Sequence, residues 1–149
     1  MRKALLPLVL ASVLAGCGGK SAAEKASEST TTTAASGRGT VTCDGSALAG
    51  GTGLPAGFPS VKGITFVTAT KSGPTHTVDG YAKTSLKDLY AQYQAAMKAA
   101  SYVILFNERE GDRDAEISYQ AGDKTSTGLV ALRNCDAVTT SVHITNRPS

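Results

Sequence analysis

The sequence predicts an α+β domain: an antiparallel sheet with one long helix packed across one face, in the order β-β-α-β-β-β-β. Three observations carry this. Segments that are rich in β-branched residues, or that alternate apolar with polar, recur after residue 60 with turn residues between them. One stretch, around residues 86–100, repeats its apolar residues at three- and four-residue steps. The links between consecutive strands are short, which favours antiparallel pairing. At 149 residues the chain has room for one such domain and one core, expected over residues 41–149.

Ahead of that domain, Met1-Arg2-Lys3 is a basic start, and residues 4–15 form an apolar, small-residue run too short to span a bilayer. The run ends in Leu14-Ala15-Gly16-Cys17. This order resembles the lipobox of bacterial lipoproteins. The resemblance implies a signal peptide over residues 1–16, cleavage before Cys17, and fatty chains on the Cys17 sulfur and the new amino group. Two or three acyl chains, at about 0.8 kcal/mol per buried CH₂, anchor a protein stably where a single myristoyl chain holds only marginally. The location so implied is the extracytoplasmic side of a cell membrane. Gly18 is not the acidic residue linked to inner-membrane retention in some double-membraned bacteria, which leaves an outer-membrane destination open. The alternative is an ordinary secretory signal that ends in a cysteine by chance.

Residues 17–40 are rich in Ser, Thr, Ala and Gly, contain no aromatic residue and show no sustained period, so they are expected to be a disordered linker. Its root-mean-square reach would be about 25 Å. The run Ser29-Thr30-Thr31-Thr32-Thr33 reads as solvated spacer, with O-glycosylation as the alternative.

Export to an oxidising compartment, with Cys17 lipidated, leaves Cys43 and Cys135, which are expected to form a disulfide. In the loop-entropy model a closure of this length contributes about 4 to 5 kcal/mol. Zinc is disfavoured because Cys-x-x-Cys spacing is absent and no His is grouped with either cysteine.

Within the domain, Leu54-Pro55-Ala56-Gly57-Phe58-Pro59 is expected to wrap the fold in extended form with Phe58 as its buried anchor, since two prolines exclude regular structure. Residues 63–70 and 75–82 read as a hairpin around Lys71-Ser72-Gly73-Pro74. Ser85-Leu86-Lys87-Asp88 matches a helix N-cap, and Leu86, Leu89, Tyr90, Tyr93, Met97 and Ala100 line one face behind it. The apolar run 102–106 reads as a central strand. Ala115, Ile117, Tyr119 and Ala121 alternate with polar residues, as a strand with one wet face does. Residues 129–133 and 138–145 complete the set, with turns at Ala121-Gly122-Asp123-Lys124 and Asn134-Cys135-Asp136.

From Leu54 to Pro148 the chain resembles small, mostly uncharacterised bacterial envelope lipoproteins. The resemblance rests on Leu54-Pro55 and Phe58-Pro59, on the helix start Thr84-Ser85-Leu86-Lys87-Asp88-Leu89-Tyr90, on Tyr93, and on Ser101-Tyr102 opening the next strand. That family more often has Gly where this chain has Ser101. The signatures are structural and imply no catalytic residue.

Chemistry-bearing patterns are sparse. Lys71-Ser72-Gly73 lacks the Ser-x-x-Lys that penicillin-recognising enzymes pair with such a triplet. His76 and His143 fall on strands with no signature placing a nucleophile beside them. The run Glu108-Arg109-Glu110-Gly111-Asp112-Arg113-Asp114 puts four carboxylates in one loop, but the interleaved arginines favour a solvated charged turn over a calcium site. Of 15 Lys and Arg, loss of Arg2 and Lys3 with the leader leaves 13 against 12 Asp and Glu, scattered singly, so no nucleic-acid partner is expected. No cofactor, metal or catalytic residue is expected either. The reading that follows is a membrane-held, non-enzymatic module that binds an envelope protein through a sheet face or strand edge. Its alternative is a carrier or sensor of a lipid or other apolar ligand held between helix and sheet.

Overall fold

The computed structural model describes residues 40–149. Cys17, the signal peptide and the linker up to residue 39 therefore lie outside the described residues. The elements run β1 (Ile64–Ser72), β2 (Thr75–Ala82), α1 (Leu86–Ala99), β3 (Val103–Glu110), β4 (Asp114–Gln120), β5 (Ser126–Asp136) and β6 (Thr139–Pro148). One six-stranded sheet has the order β1-β2-β6-β5-β4-β3, and every neighbouring pair is antiparallel. The α+β class and the element order agree with the sequence reading.

The helix exists because its sequence caps and faces correctly. Ser85 is the N-cap: the Asp88 backbone N–H donates to its Oγ at 3.2 Å, and that hydroxyl donates to Asp88 Oδ2 at 2.7 Å. Its length matches its task. Between β2 and the far edge lie four strand spacings, about 19 Å, and fourteen helical residues rise about 21 Å. The chain thus crosses the sheet while burying Leu86, Leu89, Tyr93 and Met97. Against them stand Val78, Ile117, Tyr119, Val130, Leu132, Val142 and Ile144, all fully buried. Tyr119 carries a polar tip into this layer, where its hydroxyl donates to the Thr145 carbonyl at 2.8 Å and lies 3.1 Å from Asn146 Oδ1. Gly128 makes room for it, since a Cβ there would stand 2.0 Å from Thr145 O and 2.4 Å from Tyr119 Oη. Burial raises the Tyr93 and Tyr119 phenols well above their ordinary value.

The helix ends in a Schellman arrangement. The Ser101 N–H donates to Lys98 O at 3.1 Å and the Tyr102 N–H to Met97 O at 2.9 Å, with Ser101 at φ 60°. This is a left-handed position, one that glycine adopts without strain. A side chain there is strained, so Ser101→Gly is expected to raise stability by about 0.5–1 kcal/mol after the entropy of glycine is offset. A urea midpoint unchanged or lowered by that substitution would contradict the assignment.

Three sequence expectations need correction. The run after the helix is not a central strand: β3 forms one edge of the sheet, with Val103, Leu105 and Phe106 at 51%, 59% and 52% exposure. The run resembled a core strand because it is unbroken, but one of its apolar residues is a bulge. Ile104 stands opposite Tyr119 and Phe106 opposite Ser118, so Leu105 has no cross-strand partner. Second, Asn134-Cys135-Asp136 is not a turn. β5 and β6 stay paired past it, with a bulge between Asn134 and Asp136, and the chain reverses at residues 137–138, where Asp136 Oδ1 accepts the Val138 N–H at 2.9 Å. Third, Phe58 is only half-buried and Pro59 is the buried residue of its segment. Phe58 instead meets Tyr102 and Tyr119 edge-on, at ring-centroid distances of 6.0 and 5.6 Å.

Candidate interaction surface

The two edges of the sheet are treated differently. Along β1, the chain meets its own edge at Phe66. Residues 42–48 run as a strap from β6 over β2 to β1: the Thr42 N–H donates to Ser141 Oγ at 2.8 Å, Tyr81 Oη donates to Gly45 O at 3.2 Å, and the Leu48 N–H donates to Phe66 O at 2.7 Å. Gly45, at φ 128°, lets the strap pass over Val67, whose Cγ1 would lie 2.8 Å from any Cβ. The strap is fastened by the Cys43–Cys135 disulfide, with Cα atoms 5.8 Å apart across 92 residues of sequence. The pairing expected from the sequence is present.

Edge strand β3 has no such cover among the described residues. Half of the backbone groups of an edge strand point away from the sheet and are free to pair with another chain. Toward its C-terminal end β3 is blunted by charge: Glu108, Arg109 and Glu110 lead into a turn in which Arg109 Nη1 meets Asp112 Oδ1 at 3.1 Å and Arg113 pairs with Glu110. The four carboxylates of this loop are thus interleaved with guanidinium partners. Among the described residues no three His, Cys, Asp or Glu side chains gather where a metal could sit. The N-terminal half, from Val103 to Phe106, has only the bulge as protection and presents three large apolar side chains to solvent.

On the face opposite the helix, His143 is not solitary. Register places it beside Asp79, and its Nδ1–H donates to Asp79 Oδ1 at 2.6 Å, both side chains being 14% exposed. Thr68 Oγ1 donates to the other carboxylate oxygen at 3.1 Å. This contact has no local signature, because 64 residues separate the two partners. His76 lies on β2 beside Gly53, where a Cβ would meet its Nδ1 at 2.8 Å.

No protein-family model, curated protein or solved structure matches this chain. The surface must therefore be read from its own geometry. At the centre of the layer between helix and sheet, Leu89, Met97, Ile117, Leu132 and Ile144 are fully buried. Beside it, a cleft of about 180 Å³ between residues 52–61 and the helix is lined by Leu54, Phe58, Val61, Phe66 and Tyr93. That is smaller than the roughly 300–1,000 Å³ of ordinary ligand pockets. A shallower, more polar hollow of about 320 Å³ lies where Ser101 and Tyr102 approach Gly122 and Asp123. Hydrogen bonds from Thr125 hold the Asp123 carboxyl below its usual range, so this side chain is engaged within its own turn. No helix among the described residues is long and apolar enough to cross a membrane. The bare half of β3, like the Asp79–His143 contact, is a feature that sequence reasoning missed, although the charged run from Glu108 is a signal that edge strands carry.

Proposed function

We propose that this chain is a lipid-anchored, extracytoplasmic, non-enzymatic module that binds a protein partner along the β3 edge. The observation that carries the binding half is the contrast of the two edges: β1 meets the strap at Phe66 and its exposed residues are Thr68, Thr70, Lys71 and Ser72, whereas Val103, Leu105 and Phe106 stand more than half exposed on an edge strand. Strand addition supplies affinity through main-chain hydrogen bonds and specificity through the side chains flanking them. The anchoring half is supported by the ordered leader ending in Leu14-Ala15-Gly16-Cys17, and the Cys43–Cys135 bond is in keeping with an oxidising compartment.

The test uses the full-length protein in cells. Wild type is expected in the membrane fraction, with the mature N-terminal peptide carrying the mass of diacylglycerol on Cys17, and Cys17→Ser is expected in the soluble or uncleaved fraction. A photo-crosslinking residue at Leu105 should trap protein, and the same residue at exposed Lys87 on the helix should not. Wild type without diacylglycerol mass on Cys17 would overturn the anchor; equal trapping at both positions would overturn the edge.

A further inference from the structure

We propose that the partner at the β3 edge is a second copy of this chain, paired antiparallel about a two-fold axis that passes between Ile104 and Leu105. This rests on the reading of β3 as the binding edge and names its occupant.

The argument is one of register. A two-fold axis perpendicular to a continuous sheet keeps each face on its own side, so residues paired across it must share a face. In an unbroken strand, alternation puts residues three apart on opposite faces. The bulge at Leu105 changes that phase. Val103 stands opposite Gln120 and Phe106 opposite Ser118, which places both on the face away from the helix. Asn107 stands opposite Ile117, on the helix face, and Tyr102 packs its ring 5.5 Å from that of Tyr119 on the same face. About an axis between Ile104 and Leu105, Val103 therefore meets Phe106 of the second copy, and Tyr102 meets Asn107, each pair on one face and each occurring twice. Moving the register by one residue sets Val103 against Asn107 on the wrong face. Moving it by two sets Val103 against Glu108. Moving it by one the other way sets Phe106 against Tyr102, on opposite faces, so only the first register pairs Val103 with Phe106 on one face.

Charge points the same way. The C-terminal end of β3 and its turn carry Glu108, Glu110, Asp112 and Asp114 against Arg109 and Arg113, whereas the N-terminal end is flanked by Lys98 and Lys124 against Asp123. Antiparallel pairing lays the acidic end of each copy toward the basic end of the other, which favours this arrangement over parallel association. The acidic end also disfavours an anionic lipid surface as occupant.

The experiment is the full-length lipoprotein carrying Val103→Cys together with Phe106→Cys, produced in cells and analysed without reduction. Opposed residues of an antiparallel pair have Cα atoms about 4.5–5.5 Å apart, inside the range a disulfide spans. Within one chain the bulge sets the two positions about 7 Å apart, at the limit of a disulfide, and a bond between them would leave a monomer. A reduction-sensitive dimer whose peptide map joins position 103 to position 106 is expected as the main species, while Val138→Cys, 64% exposed on another turn, stays monomeric. An intact Cys43–Cys135 peptide in the same map shows that the variant has folded. If the adduct contains a different protein, the edge binds but the second copy is overturned. If the folded variant forms no adduct while the Leu105 photo-crosslinker still traps protein, the second copy is overturned and the binding edge stands; if neither traps anything, both fall.

Discussion

Leu89→Asp is expected to abolish the folded domain. Leu89 sits in the middle of the buried helix stripe, with no exposed surface, and faces a sheet layer whose large side chains are also fully buried. Truncating such a leucine costs about 2–5 kcal/mol through lost transfer energy and the cavity left behind. A carboxylate at the same point adds several kcal/mol, because it must either stay charged without a partner or take up a proton. The sum reaches the whole stability of a small domain, about 5–15 kcal/mol. Circular dichroism should show loss of cooperative unfolding, and limited proteolysis should find cleavage throughout β1–β6. Lys87→Asp, two residues earlier on the exposed side of the same helix, should keep a cooperative transition within about 1 kcal/mol of wild type. A cooperative Leu89→Asp variant near the wild-type midpoint would mean that the helix does not supply the core face described.

This outcome can be foreseen from the sequence because helix periodicity and capping are local. Ser85, Asp88 and the stripe from Leu86 to Met97 lie within a few turns of one another, and the same residues recur as cap and core in the structure. The hairpin is similarly local, its reversal marked by Gly73 and Pro74. Edge or centre is a different kind of property. Residues 102–106 have the composition of a core strand, and only the topology, in which the helix delivers β3 to the far side of β4, decides that one side of it faces solvent. The bulge at Leu105 is equally invisible, since it depends on which residues of β4 stand opposite. Of the candidate surface, the strap's disulfide was legible by counting cysteines in a chain expected to be exported. The Asp79–His143 contact and the bare edge required the fold.

The strap itself makes the second large effect. Removing both sulfurs, as Cys43→Ala with Cys135→Ala, is expected to lower stability by about 4–5 kcal/mol in the loop-entropy model, because the bond closes most of the domain into one loop. At roughly 4 °C per kcal/mol for a domain of this size, the melting temperature should fall by about 15–20 °C. The fold should survive, since no core residue belongs to the strap: Leu89, Tyr93, Met97, Ile117, Leu132 and Ile144 all lie between Leu86 and Pro148. What remains of the strap is held by single hydrogen bonds at Thr42, Gly45 and Leu48, each worth about 1 kcal/mol, against an ordering cost of about 1–2 kcal/mol per residue. That balance is unfavourable, so the strap should detach before the sheet unfolds. Hydrogen exchange separates the two consequences. The Leu48 amide should lose its protection in the double variant while amides in β5 and β6 keep theirs, and the Phe66 carbonyl on the β1 edge is then open to another strand. If Leu48 instead exchanges only with global unfolding, the strap is held by more than the disulfide and the three hydrogen bonds.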